Sequence, residues 1–414
     1  MKELAKNAKN ASRVLMGLTN ETRNKIFDSL ISKLSDSKEL IIEKNKLDMQ
    51  AAEKSNLNPA MLDRLLLTGE RIDQMIQGVQ EIKNQPEVVG AFYDEHTNKA
   101  GLKIKKQRVP LGVILMIFES RPNVVIDCAA LALKSSNAII LKGGKEALHS
   151  NKVLGDIVQE AIAEYIPKEA VQALASDSRE EVAELLSLSE YIDVVIPRGG
   201  HGLIEYVSKE AKMPVIAHYQ GLCHMYVDKE ADVKKALELV MNAKTQRTGV
   251  CNAIETLLIH KDFLPQFADR LVRRFEETNT KLYVDDLFRL ATDSEYAMEK
   301  ATEKDWATEY LDNILSIKTV QNLEEAIEHI AKYGSHHSEC IVSESQERCM
   351  TFLNNVDASC VMINASTRFN DGGQLGLGAE LGISTTKIHA YGPMGAEQMT
   401  TSRFVVVGDG HIRE

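Results

Sequence analysis

Cys251 sits in the segment Gln246-Arg247-Thr248-Gly249-Val250-Cys251-Asn252-Ala253, just after a helical run from Asp232 to Lys244. Small and polar residues surround it, with a glycine two positions upstream. A thiol placed there can open to a cleft, be approached by backbone amides and ionise, which are the needs of a nucleophilic cysteine. A half-buried structural cysteine would satisfy the same local pattern, so both readings stand at this point. Cys128, Cys223, Cys340, Cys349 and Cys360 lie in apolar or helical stretches where any small hydrophobe would serve. With no C-x-x-C pair, neither a disulfide framework nor a zinc knuckle is encoded.

Three turns carry the next chemistry: Glu119-Ser120-Arg121-Pro122-Asn123, Lys142-Gly143-Gly144-Lys145 and Arg198-Gly199-Gly200-His201-Gly202. Glycines let a backbone approach phosphates, and helix N-termini favour anions. None is G-x-G-x-x-G, and tight packing turns would look alike. The charges say more. An acid at a strand end suits the ribose 2′-hydroxyl of NAD, whereas basic residues suit a 2′-phosphate. Lys142, Lys145 and Arg198 therefore point to NADP. In Ser335-His336-His337-Ser338 the two histidines project to opposite faces of an extended chain, so loop or substrate contact is expected there and no metal site. Phe369-Asn370-Asp371-Gly372-Gly373-Gln374-Leu375-Gly376-Leu377-Gly378 is too glycine-dense for a core element and reads as an active-site loop or a mobile linker.

The elements that must position these groups follow from periodicity. Residues 1 to about 85 read as helices, with Ile26, Leu30, Ile31 and Leu34 on one face and Thr19 to Thr22 as capping residues. The alternation from Lys99 to Lys106 suits an exposed hairpin. Strands are expected at Val109 to Phe118, Asn137 to Leu141, Tyr191 to Ile196, Met213 to Ala217 and Cys223 to Val227. Helices between them run from Pro122 or Asn123 to Lys134, to Tyr165, and from Leu203 to Ala211. Such a β-α-β-α series makes a parallel sheet with helices on both faces. A second α/β series has strands at Glu255 to His260, Lys281 to Val284, Ile314 to Val320, Glu339 to Ser343 and Ser359 to Ile363. Its helices are Leu264 to Glu277, Leu323 to Tyr333 and Gln346 to Asn354. The strand Phe404 to Val407 needs a partner, either the Lys99 to Lys106 hairpin or another subunit.

A chain of 414 residues, 44% of them hydrophobic, can bury two or three domain cores. A net charge of −11 with no basic stripe argues against nucleic acid. No signal-peptide h-region opens the chain, and no run nears the roughly 18 apolar residues that a membrane helix needs. A cytoplasmic, reducing location is expected, without a membrane partner.

Together the segments resemble the aldehyde dehydrogenase superfamily. The resemblance is carried by Val109-Pro110-Leu111-Gly112-Val113 running into Phe118-Glu119-Ser120-Arg121-Pro122-Asn123, and by Leu141 to Ala147 and Pro197-Arg198-Gly199-Gly200. The Cys251 segment, Tyr333 to Ser338, Thr367-Arg368-Phe369-Asn370-Asp371-Gly372-Gly373, Gly392 to Gly395 and Gly408 to Gly410 complete it. It covers the chain from about Lys6 onward and is closest to the branch that reduces an acyl phosphate.

That resemblance implies an α/β fold, aldehyde dehydrogenase-like, with two Rossmann-like domains and a β-hairpin/C-terminal oligomerisation element. Residues 1–90 and 108–230 would bind NADP, and 231–362 would carry the nucleophile. Residues 91–107 and 395–414 would oligomerise the chain, and 363–394 would form a glycine-rich return segment bordering the active site. It implies NADPH-dependent reduction of L-glutamyl 5-phosphate to L-glutamate 5-semialdehyde, the second step of proline synthesis from glutamate, through a Cys251 thioester. Superfamily members that hydrolyse the thioester place a glutamate base upstream, where this chain reads Ala217-His218-Tyr219-Gln220-Gly221. A thioester spared from water suits a reductase.

Oxyanion donors would be the Cys251 amide and Asn123. The superfamily asparagine falls slightly earlier, where Arg121 stands. Lys142, Gly143, Gly144, Lys145, Arg198, Gly199 and Gly200 would hold the cofactor, with Glu309 on the nicotinamide ribose. Arg121 and Arg368 could bind the substrate α-carboxylate bidentately, with Ser335 and His336 as further substrate contacts. A homo-oligomer and transient contact with a glutamate 5-kinase follow as partners. The competing readings are a coenzyme A-acylating dehydrogenase, which would also lack the base, and a catalytically silent dinucleotide-binding oligomer.

Overall fold

A computed structural model describes residues 1–217, 220–377 and 379–413. His218 and Tyr219 of the segment lacking a glutamate, Gly378 of the glycine-rich loop and Glu414 of the oligomerisation element lie outside the described residues. The chain divides into two compact units. The first comprises Met1–Ala217, Gly376–Gly382 and Ile388–Glu414; the second comprises His218–Leu375 and Ile383–Lys387.

The first unit opens with helices Lys2–Leu15, Asn20–Asp36, Lys38–Lys54, Pro59–Leu65 and Gly69–Asn84. Asn20–Asp36 is started by the Thr19 side chain, which accepts the N–H of Thr22, and it buries Ile26, Phe27, Leu30 and Leu34 on one face. Among the described residues, four parallel strands form its main sheet in the order Val171–Leu174, Ala138–Lys142, Val113–Phe118, Val194–Arg198. All six side chains of Val113–Phe118 are buried. At about 1.5–3 kcal/mol for each large apolar side chain, this central strand is a main source of the unit's stability. A separate antiparallel sheet pairs Phe92–Thr97 with Lys103–Pro110, and Lys103–Pro110 with Thr400–Val407 from Val407↔Lys103 to Thr400↔Pro110. The unpartnered C-terminal strand thus joins the hairpin.

The second unit holds seven parallel strands among the described residues. Their order is Met298–Lys300, Lys281–Val284, Ile314–Val320, Ile254–His260, Cys223–Val227, Ser338–Val342, Cys360–Ile363. Helices Val233–Thr245, Leu264–Glu277, Leu323–Tyr333 and Gln346–Asn355 cover it. Leu264–Glu277 buries Leu264, Phe267, Ala268, Leu271, Val272 and Phe275, a single apolar face.

Four expectations need correction. Val109 to Phe118 is two strands, because Gly112 turns the chain at φ 124°, and a Cβ there would lie 2.1 Å from an Asp193 carboxylate oxygen. Cys223–Val227 belongs to the second sheet, where its parallel partners are Ile254–His260 and Ser338–Val342. The first unit accordingly closes at Ala217, not near residue 230. Met213 to Ala217 contributes only a single bridge, Val215 to Val195. Pro122 precedes the helix Val124–Lys134, whose N-cap is Asn123. The short strands Val171–Leu174 and Met298–Lys300 were not expected; runs of four and three residues give periodicity little to show.

Candidate active site

The helix Val233–Thr245 is started by Asp232, whose carboxylate accepts the N–H of Lys235, and it delivers the chain into the Cys251 loop. Cys251 is half-buried. Its loop is clamped from one side by Gly221: a Cβ at that position would stand 2.3 Å from the Cys251 carbonyl oxygen and 2.6 Å from its Cβ. Only glycine permits this approach. The Gly221 N–H donates to Glu309 Oε1 at 2.9 Å, and the Leu222 N–H donates to Ser335 Oγ at 2.9 Å. The Cys223 thiol donates to the Cys251 carbonyl at 3.1 Å and lies 3.5 Å from His337 Nδ1.

From the other side the turn Thr367–Phe369 is stitched to the loop. Thr367 Oγ1 donates to the Asn252 carbonyl at 2.7 Å, and the Asn252 amide donates to the Asn370 carbonyl at 3.0 Å. Arg368 Nε donates to Gln246 Oε1 at 2.9 Å. Burial, together with the Arg247 guanidinium nearby, holds Arg368 below the usual arginine range; Asp371 and Cys251 act in the opposite sense.

Beneath the loop, Lys244 and Glu255 form a wholly buried ion pair at 2.8 Å. Burial pushes the Glu255 carboxyl up to about 7 against the pull of Lys244, and burial lowers Lys244. The other Glu255 oxygen accepts the Leu311 N–H at 3.1 Å, tying the Glu309 segment to the strand that follows the nucleophile. Burial likewise raises the thiols of Cys128, Cys223, Cys340, Cys349 and Cys360, which disfavours all five as thiolates.

In the first unit the three expected turns meet at the C-terminal ends of neighbouring strands. Two carboxylates knit them. Glu119 Oε2 accepts the Gly200 N–H at 2.8 Å, and Glu146 Oε1 accepts the Ser120 N–H at 2.6 Å and its hydroxyl at 2.7 Å. Ser120 itself is held at φ 42°. Gly143 and Gly199 lie close against side chains, where a Cβ would stand 2.0 Å from the Asn151 amide in the first case and 2.4 Å from the Glu119 carboxylate in the second. Lys142 turns inward, donating to the Gly143 and Ser176 carbonyls at 3.0 and 2.7 Å. Lys145 is exposed and, among the described residues, has no acidic partner. Arg198 reaches the Glu380 carbonyl at 3.4 Å. Asn123 donates to the half-buried Asp127 carboxyl at 2.8 Å, and desolvation raises that carboxyl.

The structure brings three of the expected residues, Ser335, Glu309 and Arg368, to the Cys251 loop and its clamp. Of the two adjacent histidines, exposed His336 has its Nδ1 2.8 Å from the Asp357 carbonyl, while the buried His337 faces Cys223. Gly221, Glu255, Lys244 and Arg247 were missed. Glu255 could have been found, because a lone acid inside the apolar strand Ile254–His260 demands a buried cation.

The aldehyde dehydrogenase family profile matches residues 1–293. The gamma-glutamyl phosphate reductase of a Sulfurihydrogenibium species is 46% identical over 99% of this chain and 94% of its own length. That of Halothermothrix orenii is 46% identical over 99% and 98%. The crystal structure of gamma-glutamyl phosphate reductase from Thermotoga maritima superposes with a TM-score of 0.96 at 42% identity, covering 100% of this chain and 99% of that one. The chain belongs to the aldehyde dehydrogenase family and, within it, to the group of the gamma-glutamyl phosphate reductases.

Proposed function

We propose that this chain reduces L-glutamyl 5-phosphate to L-glutamate 5-semialdehyde and phosphate, the proline-synthesis step, through a thioester on Cys251. The near-complete similarity to reductases of that name carries the reading. The Cys251 thiolate attacks the acyl carbon, the bond to the phosphate oxygen breaks, and a thioester remains. The Cys251 N–H and Asn123 are the proposed donors to the oxyanion. NADPH, held by Lys142 to Lys145, Arg198 to Gly200 and Glu309, would supply the hydride that takes the thioester to the semialdehyde. Lys145 favours the 2′-phosphorylated cofactor, because the rim acids Glu119 and Glu146 already accept protein donors and Lys142 is bonded to carbonyls. Arg121 and Arg368 are proposed for the anionic ends of the substrate, with Ser335 and His336 as further contacts. Residues 217–221 contain no glutamate, so no carboxylate base there activates water against the thioester.

A homo-oligomer joined through the antiparallel sheet accords with its exposed Phe92, Phe404, Val406 and Val407, of which Phe404 is 67% exposed. The test is the reverse reaction. Semialdehyde oxidation with NADP should require inorganic phosphate, and Cys251→Ala should lower it by roughly 1,000-fold or more. Dependence on coenzyme A in place of phosphate, or full activity of the alanine variant, overturns the reading.

A further inference from the structure

Two guanidiniums stand beside the nucleophile loop, Arg247 and Arg368, and Asp371 acts on Arg368 only from beyond ion-pair range. Arg247 lies four residues before Cys251, and Arg368 is fastened to the residue next to Arg247 through Gln246. Neither has an acidic side chain in ion-pair range among the described residues. The backbone around Arg368 is fixed as well, through Thr367 to the Asn252 carbonyl and through Asn252 to the Asn370 carbonyl. Its guanidinium is therefore aimed by Gln246, on a backbone held by Thr367, Asn252 and Asn370. Like charges gathered this way repel unless an anion joins them, and the partial desolvation of Arg368 raises that cost.

The substrate brings two anionic groups of different charge. A carboxylate carries one negative charge and would leave one guanidinium unmatched. A phosphoryl group carries close to two and presents three acceptor oxygens, which matches a pair of guanidinium forks. It is also bonded to the carbon that Cys251 attacks, so its place must be beside the nucleophile.

We propose that Arg247 and Arg368 together form the seat of the phosphoryl group, with Arg247 a substrate-binding residue that no motif singled out. The seat holds the acyl phosphate for attack, and the two guanidiniums take up the charge that grows on the bridging oxygen as phosphate leaves. Arg121 is then left for the α-carboxylate. The inference rests on the acyl phosphate reading.

The reverse reaction separates the two anions, because phosphate and the semialdehyde carboxylate arrive on different molecules. Arg247→Ala should raise the KM for inorganic phosphate by about 10- to 100-fold. The KM for semialdehyde and that for NADP should stay within about twofold of the parent. Arg247→Lys, which keeps the charge and loses the fork, should fall between. Arg368→Ala should act in the same direction, and the double variant should lose less than the product of the singles. An unchanged phosphate KM in both Arg247 variants, or an equal rise for semialdehyde, overturns the seat. A parent enzyme indifferent to phosphate would instead overturn the acyl phosphate reading itself.

Discussion

Among the described residues, each unit has one fully buried lysine, Lys134 in the first and Lys244 in the second, and the two are treated differently. In the first unit Lys134 donates to the Lys83 and Gln85 carbonyls at 3.1 and 2.7 Å and to Glu87 at 2.8 Å. Glu87 also pairs with Arg23, and its side chain stays 29% exposed. In the second unit Lys244 has Glu255, and both are wholly dry. The first arrangement keeps water on one acid and spreads two cations over several oxygens. The second places an ion pair in low dielectric, where loss of either partner strands a charge. It is set under the nucleophile loop, seven residues before Cys251 and four after it. The contrast separates a pair that fastens a scaffold from a pair that fixes reactive geometry.

The sharpest break of that contrast is the carboxamide exchange. Glu255→Gln should cost about 3–5 kcal/mol of stability, and Glu87→Gln only about 1–2 kcal/mol. Urea unfolding of both variants measures it. Equal losses would show that dryness of the pair makes no difference. The double variant Lys244→Met with Glu255→Leu should recover most of the stability, because no charge is left unpaired, yet stay slow if the pair also sets the loop.

A glycine exchange gives the next largest effect. Gly221→Ala forces a Cβ against the Cys251 backbone, while at Gly202 nothing lies within 4 Å. Displacing the nucleophile by a fraction of an ångström should lower kcat by about 100-fold in Gly221→Ala. Gly202→Ala should leave kcat unchanged. Steady-state kinetics on both decide it, and a silent Gly221→Ala would remove the clamp from the account.

These two sites mark the limit of what the sequence carried. Leu264–Glu277 was legible to the residue because its apolar positions fall on one helical face. The fate of Cys223–Val227 was not, since an apolar run announces a strand but its partners lie about 30 and 115 residues away. Gly221 could be seen as a glycine, but not as the one that touches Cys251, because close approach is a tertiary fact. Lys244 was readable in principle: with Ala236, Val240 and Ala243 it completes the buried face of its helix. A lysine there implies an acid such as Glu255. The glycine-bearing turns of the first unit were read correctly as strand ends. The carboxylates that knit them were not read, because Glu119 and Glu146 look like surface acids until their backbone donors are known.

Histidines extend the contrast to acid. Among the described residues, His96, His149, His201, His389 and His411 in the first unit are all exposed, whereas in the second His224, His260, His329 and His337 are buried and His336 alone is exposed. His329 is packed against Trp306, His224 and Tyr333, with ring centroids 5.6, 5.5 and 4.6 Å away, and its Nδ1 lies 3.4 Å from the Lys318 ammonium. Burial foremost, with His224, Lys318 and Lys332 adding to it, lowers its pKa from 6.5 to about 2. The unfolded chain therefore takes up a proton near pH 6.5 that the folded chain refuses. Stability present above that pH is lost as the pH falls below it. Between pH 6.5 and about 5.5 this single group should remove about 1 kcal/mol. His329→Phe, which keeps the aromatic packing, should flatten that part of the urea-stability profile, whereas His149→Phe on the exposed side should leave it unchanged. If His329→Phe retains the full slope, the acid sensitivity lies elsewhere and the division between a wet unit and a dry one does not extend to protons.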